Sequence, residues 1–337
     1  MDGPIVMETF EDGGIFRHGD HYDEIVDELD DALEQRDAGK IKPAKYLKIL
    51  KGIVDRHPHF IDGHAHLGNA LMEEGKPKLA LQACLRGIEA GDNAIPPKFK
   101  GTIEWGFLEN RPFLRSYHGA VLCQLRLGKR REAIALMEKM LVWNPNDNQG
   151  IRFLIGSEYL RAGDTGKAER IFADEDTQYP PYHYERALLR FRSGSAVSAA
   201  TSLRQGFVAN GYIAEMLCGN PDPMPLAIWH GTNMAEPETA RDYLEHCGDL
   251  WQNTRGAIAF VRWLHMHPKV LIERARVLEC QEALLWEHDP VRRRTILDRE
   301  EAARGRIDDT LSNEIVHDRT DLHGRQVSPW HYKAVQE

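Results

Sequence analysis

GSEYLRAGDTGKAERIFADEDTQYP, residues 156–180, carries a ruler: Gly163, Ala168, Phe172 and Pro180 stand five, four and eight residues apart. Gly128, Ala133, Met137 and Pro145 repeat those steps, and Gly75, Ala80, Cys84 and Gly194, Ala199, Leu203 repeat the first two. Asp92 and Gly211 stand where those last two units would place proline. Each mark has a physical reason. The glycine ends a first helix in the left-handed region, where a side chain would be strained. A small alanine in the second helix lets the helices of a hairpin close on each other, and the apolar residue one turn on fills the seam. Proline then stops the second helix, because it cannot extend one. The spacing predicts stacked helical hairpins.

This pattern is that of the tetratricopeptide repeat, whose period is about 34 residues. The turn glycines Gly128, Gly163 and Gly194 lie 35 and 31 residues apart, while Gly75 and Gly128 lie 53 apart. The excess of about 19 residues is the segment GDNAIPPKFKGTIEWGFLEN, residues 91–110. Gly156 and Tyr159 occupy the pattern's first-helix glycine and tyrosine positions. Upstream, residues 21–40 and 43–58 read as a degenerate first hairpin ending at Pro58. Downstream, residues 237–268 read as another helical pair, and residues 269–311, interrupted by Pro290, as two further helices. The expected organisation is a loose acidic segment 1–20, an all-α solenoid 21–268 with an insertion near 91–110, C-terminal helices 269–311 that cap it or self-associate, and a tail 312–337.

NGYIAEMLCGNPDPMP, IWHGTNMAEPETARDYLEHCGDLW and NTRGAIAFVRWL, taken in order, resemble the end of the repeat region in the suppression-of-tumorigenicity-seven family and its bacterial relatives. The strings WGFLENRP and NPNDNQG strengthen the likeness, which covers roughly residues 100 to 265. It implies a helical scaffold and no reaction. This chain departs from the animal members in having no membrane segment, and from many bacterial ones in having no cysteine-rich zinc motif.

Composition narrows the function classes. Among 337 residues, 52 Asp and Glu against 43 Lys and Arg leave a formal charge of −9. That field repels phosphate, so no nucleic-acid partner is expected. Five scattered cysteines, never in a CxxC pair, exclude a zinc ribbon and a secreted disulfide framework, and point to a reducing cytoplasm. No Walker loop, dinucleotide fingerprint, GxSxG elbow or kinase signature occurs. No catalytic residue and no cofactor is assigned.

The sharpest constellation is basic. Arg126, Arg161 and Arg192 each fall two residues before a turn glycine, hence at equivalent points of successive first helices. First helices line the inner wall of such a solenoid, so a ladder for the carboxylates of an acidic partner peptide or helix is expected, extended by Arg115 and His118. Leu122, Phe153, Leu188 and Phe191 are candidate apolar anchors. The competing reading makes the arginines solvated residues that favour a helix C-terminus, and the apolar residues seam packing. Sixteen histidines raise the question of metal: His57, His59, His64 and His66 crowd into ten residues, and His265 and His267 repeat the spacing. A spacing of two sends side chains to different sides of a helix, so no metal is expected, with those four as the alternative set. The alternative function is accordingly a histidine-dependent metalloprotein or enzyme, with its site in the interhelical loops, around Trp105, or at Trp229 and His230. The acidic run from Asp20 to Asp31 lacks a calcium loop's glycine and reads as an exposed helix face.

Overall fold

The structure, a computed structural model, describes residues 5–19 and 21–331. It is all-α in class, with tetratricopeptide-type hairpins and a C-terminal helical extension. The chain divides into two compact units, residues 1–158 and 159–337.

In unit 1 a β-hairpin comes first, β1 (Val6–Thr9) antiparallel to β2 (Gly14–Arg17). Then come α1 (Tyr22–Asp37), α2 (Pro43–Arg56), α3 (Ile61–Glu73), α4 (Pro77–Asp92), α5 (Arg111–Arg126) and α6 (Arg130–Trp143). Helix α7 (Arg152–Ala162) carries the division between units. The residues marked by the ruler form the seams. Ala80, Ala133, Cys84 and Met137 are all 0% exposed. Gly75 and Gly128 adopt φ of 68° and 72°. Gly39 closes the degenerate first hairpin in the same way, with φ of 66°. Proline also starts helices: Pro43, Pro77 and Pro112 lie in the first turns of α2, α4 and α5, where a missing N–H costs nothing.

Within the N-terminal segment expected to be loose, residues 6–17 form the packed β1–β2 hairpin. Phe16 is fully buried against Phe113, with ring centroids 4.9 Å apart. The buried Asn110 amide ties the hairpin to the insertion: its Oδ1 accepts from Phe16 N (3.1 Å), and its Nδ2 donates to Gly14 O (3.0 Å) and Glu104 O (3.2 Å). Thr102 N and Gly14 N bond across to Asp12 O and Thr102 O. The insertion is therefore a dock for the N-terminal hairpin, and the polar cost of burial is met by one side chain.

Unit 2 continues with α8 (Thr165–Glu175), α9 (Pro181–Arg192), α10 (Ala196–Ala209), α11 (Gly211–Leu217), α12 (Pro237–Gln252) and α13 (Ala257–His265). Then follow α14 (Pro268–Trp286), α15 (Pro290–Arg304), α16 (Asp309–Ile315) and a short hairpin, β3 (Arg319–Thr320) with β4 (Gln326–Val327). Here too Ala168, Phe172, Ala199 and Leu203 are 0% exposed, and Gly163 and Gly194 have φ of 80° and 81°. Helix α10 is the hub, packing on α9, α11, α13, α14 and α16. Its run Ala199–Ala200–Thr201–Ser202–Leu203–Arg204 is buried throughout, which a one-sided helix would not allow. The extension thus covers α10. Among the described residues no helix is long and apolar enough to cross a membrane.

Candidate interaction surface

In unit 1, α3 and α5 are the first helices of neighbouring hairpins and touch. Their spacing puts Asp62 and His66 on one face of α3, and Arg115, His118, Leu122 and Arg126 on one face of α5. The deepest element is an ion pair: Arg115 Nε and Nη2 meet Asp62 Oδ1 and Oδ2 at 3.0 and 2.6 Å. Asp62 is 11% exposed at its side chain, and His66 Nε2 lies 3.6 Å from its Oδ1. Arg115 is thus held by its own chain. Burial lowers the pKa of His118, with Asp147 opposing, and that of His66, with Asp62 opposing, so both imidazoles are neutral near pH 7. Farther along α5 the face opens. Leu122 is 40% exposed, and Arg126 is exposed and engages no carboxylate among the described residues. Phe153, on α7, is half-buried.

In unit 2 the arginines expected to await a partner already have one. Arg161 Nη1 and Nη2 meet Asp249 Oδ2 and Oδ1 at 2.6 and 2.7 Å, and Nη2 also donates to His246 O. Arg192 donates from Nε to Thr254 Oγ1 and from Nη2 to Leu250 O, both at 2.9 Å. Burial lowers the Arg192 pKa, with neighbouring Arg161 adding to the effect. Both guanidinium groups therefore grip the last turn of α12 and the turn after it, where helix carbonyls lack intrahelical partners and carry partial negative charge. The rungs in unit 2 hold an internal helix in place of an acidic peptide. Leu188 is 0% exposed and belongs to the core, which corrects its expected role as an anchor. Phe191 stacks on Phe260 with centroids 4.9 Å apart.

The histidines disperse. His64 is buried, with Nε2 2.9 Å from Pro58 O; His66 faces Asp62; His59 is exposed in the loop; His57 closes α2. His265 meets Phe207 edge-on at 5.0 Å, whereas His267 caps α14, its Nδ1 accepting from Lys269 N. Among the described residues no three His, Cys, Asp or Glu side chains could hold one metal ion. Trp105 lies under Arg111, with the guanidinium carbon 5.2 Å from the ring centroid, and Trp229 lies under Arg293 at 4.6 Å. His230 Nε2 is 2.7 Å from Tyr212 Oη. These residues hold loops onto helices. What the sequence missed is α12 as tenant; its signal, Asp249 near the end of a predicted helix, lies 88 residues from Arg161.

Hairpins of this geometry define a tetratricopeptide-type protein. The structure is similar to a tetratricopeptide repeat protein from Parabacteroides merdae at 14% identity and TM-score 0.46, covering 84% of this chain and 100% of that one. It is also similar to MamA 41-end from Desulfovibrio magneticus RS-1 (16% identity, TM-score 0.43, 56% of this chain and 94% of that one). A MamA RS-1 double mutant gives 16% identity and TM-score 0.42 over 55% of this chain and 91% of that one. No family model matches the sequence, and no curated protein does.

Proposed function

We propose that the protein is a non-catalytic interaction scaffold or adaptor of the cytoplasm, which binds an acidic peptide or helix of a partner protein along the α5 face. Leu122 is the apolar anchor, Arg126 the charged one and His118 a neutral hydrogen-bonding group between Arg115 and them. The observation that carries this reading is the exposure of Leu122 and Arg126 one turn apart on a first helix. Arg115 shapes the face through Asp62, and Phe153 flanks it on the chain's next first helix. Arg161 and Arg192 join a ligand site only when α12 is displaced. Five free thiols, four of them buried, fit a reducing compartment. The likeness to the suppression-of-tumorigenicity-seven family fits a scaffold and adds no reaction.

The test is a photo-crosslinker, benzoylphenylalanine, at Leu122 in living cells. A discrete crosslinked protein, lost when Arg126→Glu is added to the same chain, is the expected result. A crosslink that survives that charge reversal sinks the proposal. A second reading concerns self-association through residues 269–311. It rests on the exposed Ile272, Trp286 and Val291 of α14 and α15, which are 57%, 73% and 77% exposed. Light scattering on Trp286→Glu decides it: a dimeric parent and a monomeric variant are expected.

A further inference from the structure

Near the end of the described residues the chain packs back onto its own helices through one tryptophan. Trp330 sits on α13, its ring centroid 4.8 Å from Phe260 and 5.8 Å from Trp263. Trp263 in turn meets the His267 ring edge-on at 5.6 Å. The tail and α13 thereby enclose an open cleft of about 810 Å³, floored by Trp263, Trp330, Met266 and Pro329. Met266 is 61% exposed, so apolar surface is left in water beside two indoles. The cleft's volume falls in the range of ligand sites. The Trp330 indole nitrogen is buried and has no acceptor among the described residues.

The rim has one sign. Arg262, Arg319, His267 and His331 border the cleft, and no carboxylate among the described residues lines it, in a chain whose net charge is −9. The nearby Glu314 is committed to Lys269. Arg262 donates to Cys218 O (3.2 Å), a neutral acceptor, and forms no ion pair among the described residues. Burial, together with Lys269 and Arg319, lowers the His267 pKa, and the two guanidinium groups are permanently charged. Half-buried Trp and exposed Met flanked by Arg are residue types enriched where proteins bind proteins.

We infer that this cleft is a second docking site, for an acidic segment of a partner protein carrying one large apolar side chain. The apolar side chain enters between Trp263 and Trp330 over Met266, and flanking carboxylates pair with Arg262 and Arg319. This site is independent of the α5 face, and either can fail alone.

The experiment titrates the full chain into a fluorescein-labelled peptide of Asp and Glu with a central Leu-Phe, read by anisotropy. Two control peptides carry Lys for every acid, or Gly for Leu-Phe. Saturable binding by the first peptide alone is expected. Measured in a chain that carries Arg126→Glu throughout, so that the α5 face does not contribute, it should weaken by about tenfold or more with Met266→Asp and with Arg319→Glu, both at exposed positions. Circular dichroism checks that the variants fold. Equal binding of either control, or no loss in both variants, overturns the inference. Two further outcomes also overturn it by naming another occupant. One is binding that appears only after residues 332–337 are deleted; the other is a dimer that Met266→Asp dissociates.

Discussion

Arg204 is fully buried on α10, and every side of its guanidinium is used. Nε donates to Glu273 Oε1 at 2.9 Å, Nη2 reaches Glu273 Oε2, and Nη1 donates to Asp308 O at 2.7 Å and Ser312 Oγ at 2.8 Å. One side chain thus fastens α14 and α16 to α10. Desolvating the pair is expensive, so removing one partner costs far more than the pair itself contributes. Arg204→Met should lower stability by about 3–5 kcal/mol, and Arg204→Met with Glu273→Leu should recover most of that loss. Urea unfolding monitored by circular dichroism measures both; equal losses in the single and double variants would refute the account. Gly256 illustrates backbone constraint. Its φ is 82°, and an added Cβ would lie 3.2 Å from His331 Nε2. Gly256→Ala should cost about 1–2 kcal/mol and loosen the tail, shifting tryptophan emission to the red.

At the scale of the element, the α3–α4 hairpin closes through glycine rather than the ruler's alanine alone. A Cβ on Gly68 would sit 2.3 Å from Cys84 Sγ, and one on Gly119 of α5 would sit 2.8 Å from the same sulfur. Cys84 therefore fills a slot between two glycine-bearing helices. Alanine at position 68 gains roughly 1 kcal/mol of helix propensity but meets a buried atom, and overpacking of this kind costs typically about 1–3 kcal/mol. Gly68→Ala should destabilise, and Cys84→Ala in the same chain should cancel the loss. The coupling in that double-mutant cycle is the measurement, and additive effects would count against the slot. The element α12 carries a different lesson. It offers Arg161 and Arg192 a helix C-terminus, so a chain pattern that predicts a ligand ladder was met from within.

Across the molecule, acid should act on unit 2. Burial lowers the pKa of His183 to about 4, against the opposing pull of Asp176, and that of His265 to about 4, with Arg274 adding to the effect. A histidine depressed in the folded state binds its proton more readily when unfolded. Its stabilising contribution is complete above about pH 6.5 and is lost as pH falls toward 4, up to roughly 3 kcal/mol each. Thermal melting should drop across that window and drop less in His265→Leu. Excess negative charge relaxes over the same range, an opposing but solvent-screened effect, so the buried imidazoles decide the sign. A melting temperature that stays flat from pH 6.5 to 4.5 would contradict this.

The hairpins were legible because their determinants are local: a left-handed glycine, a small residue five positions on and an apolar one after four more act within one turn or one seam. Ala80, Ala133, Ala168 and Ala199 are accordingly fully buried. The N-terminal hairpin escaped because its partner Asn110 lies 94 residues from Phe16. The sequence by itself determined the repeat, its turns and the register of the arginines. Only the tertiary structure decided which arginines face solvent and which hold α12, and that Trp330 meets Trp263. Those choices rest on non-local complementarity of charge and shape, and no spacing along the chain encodes it.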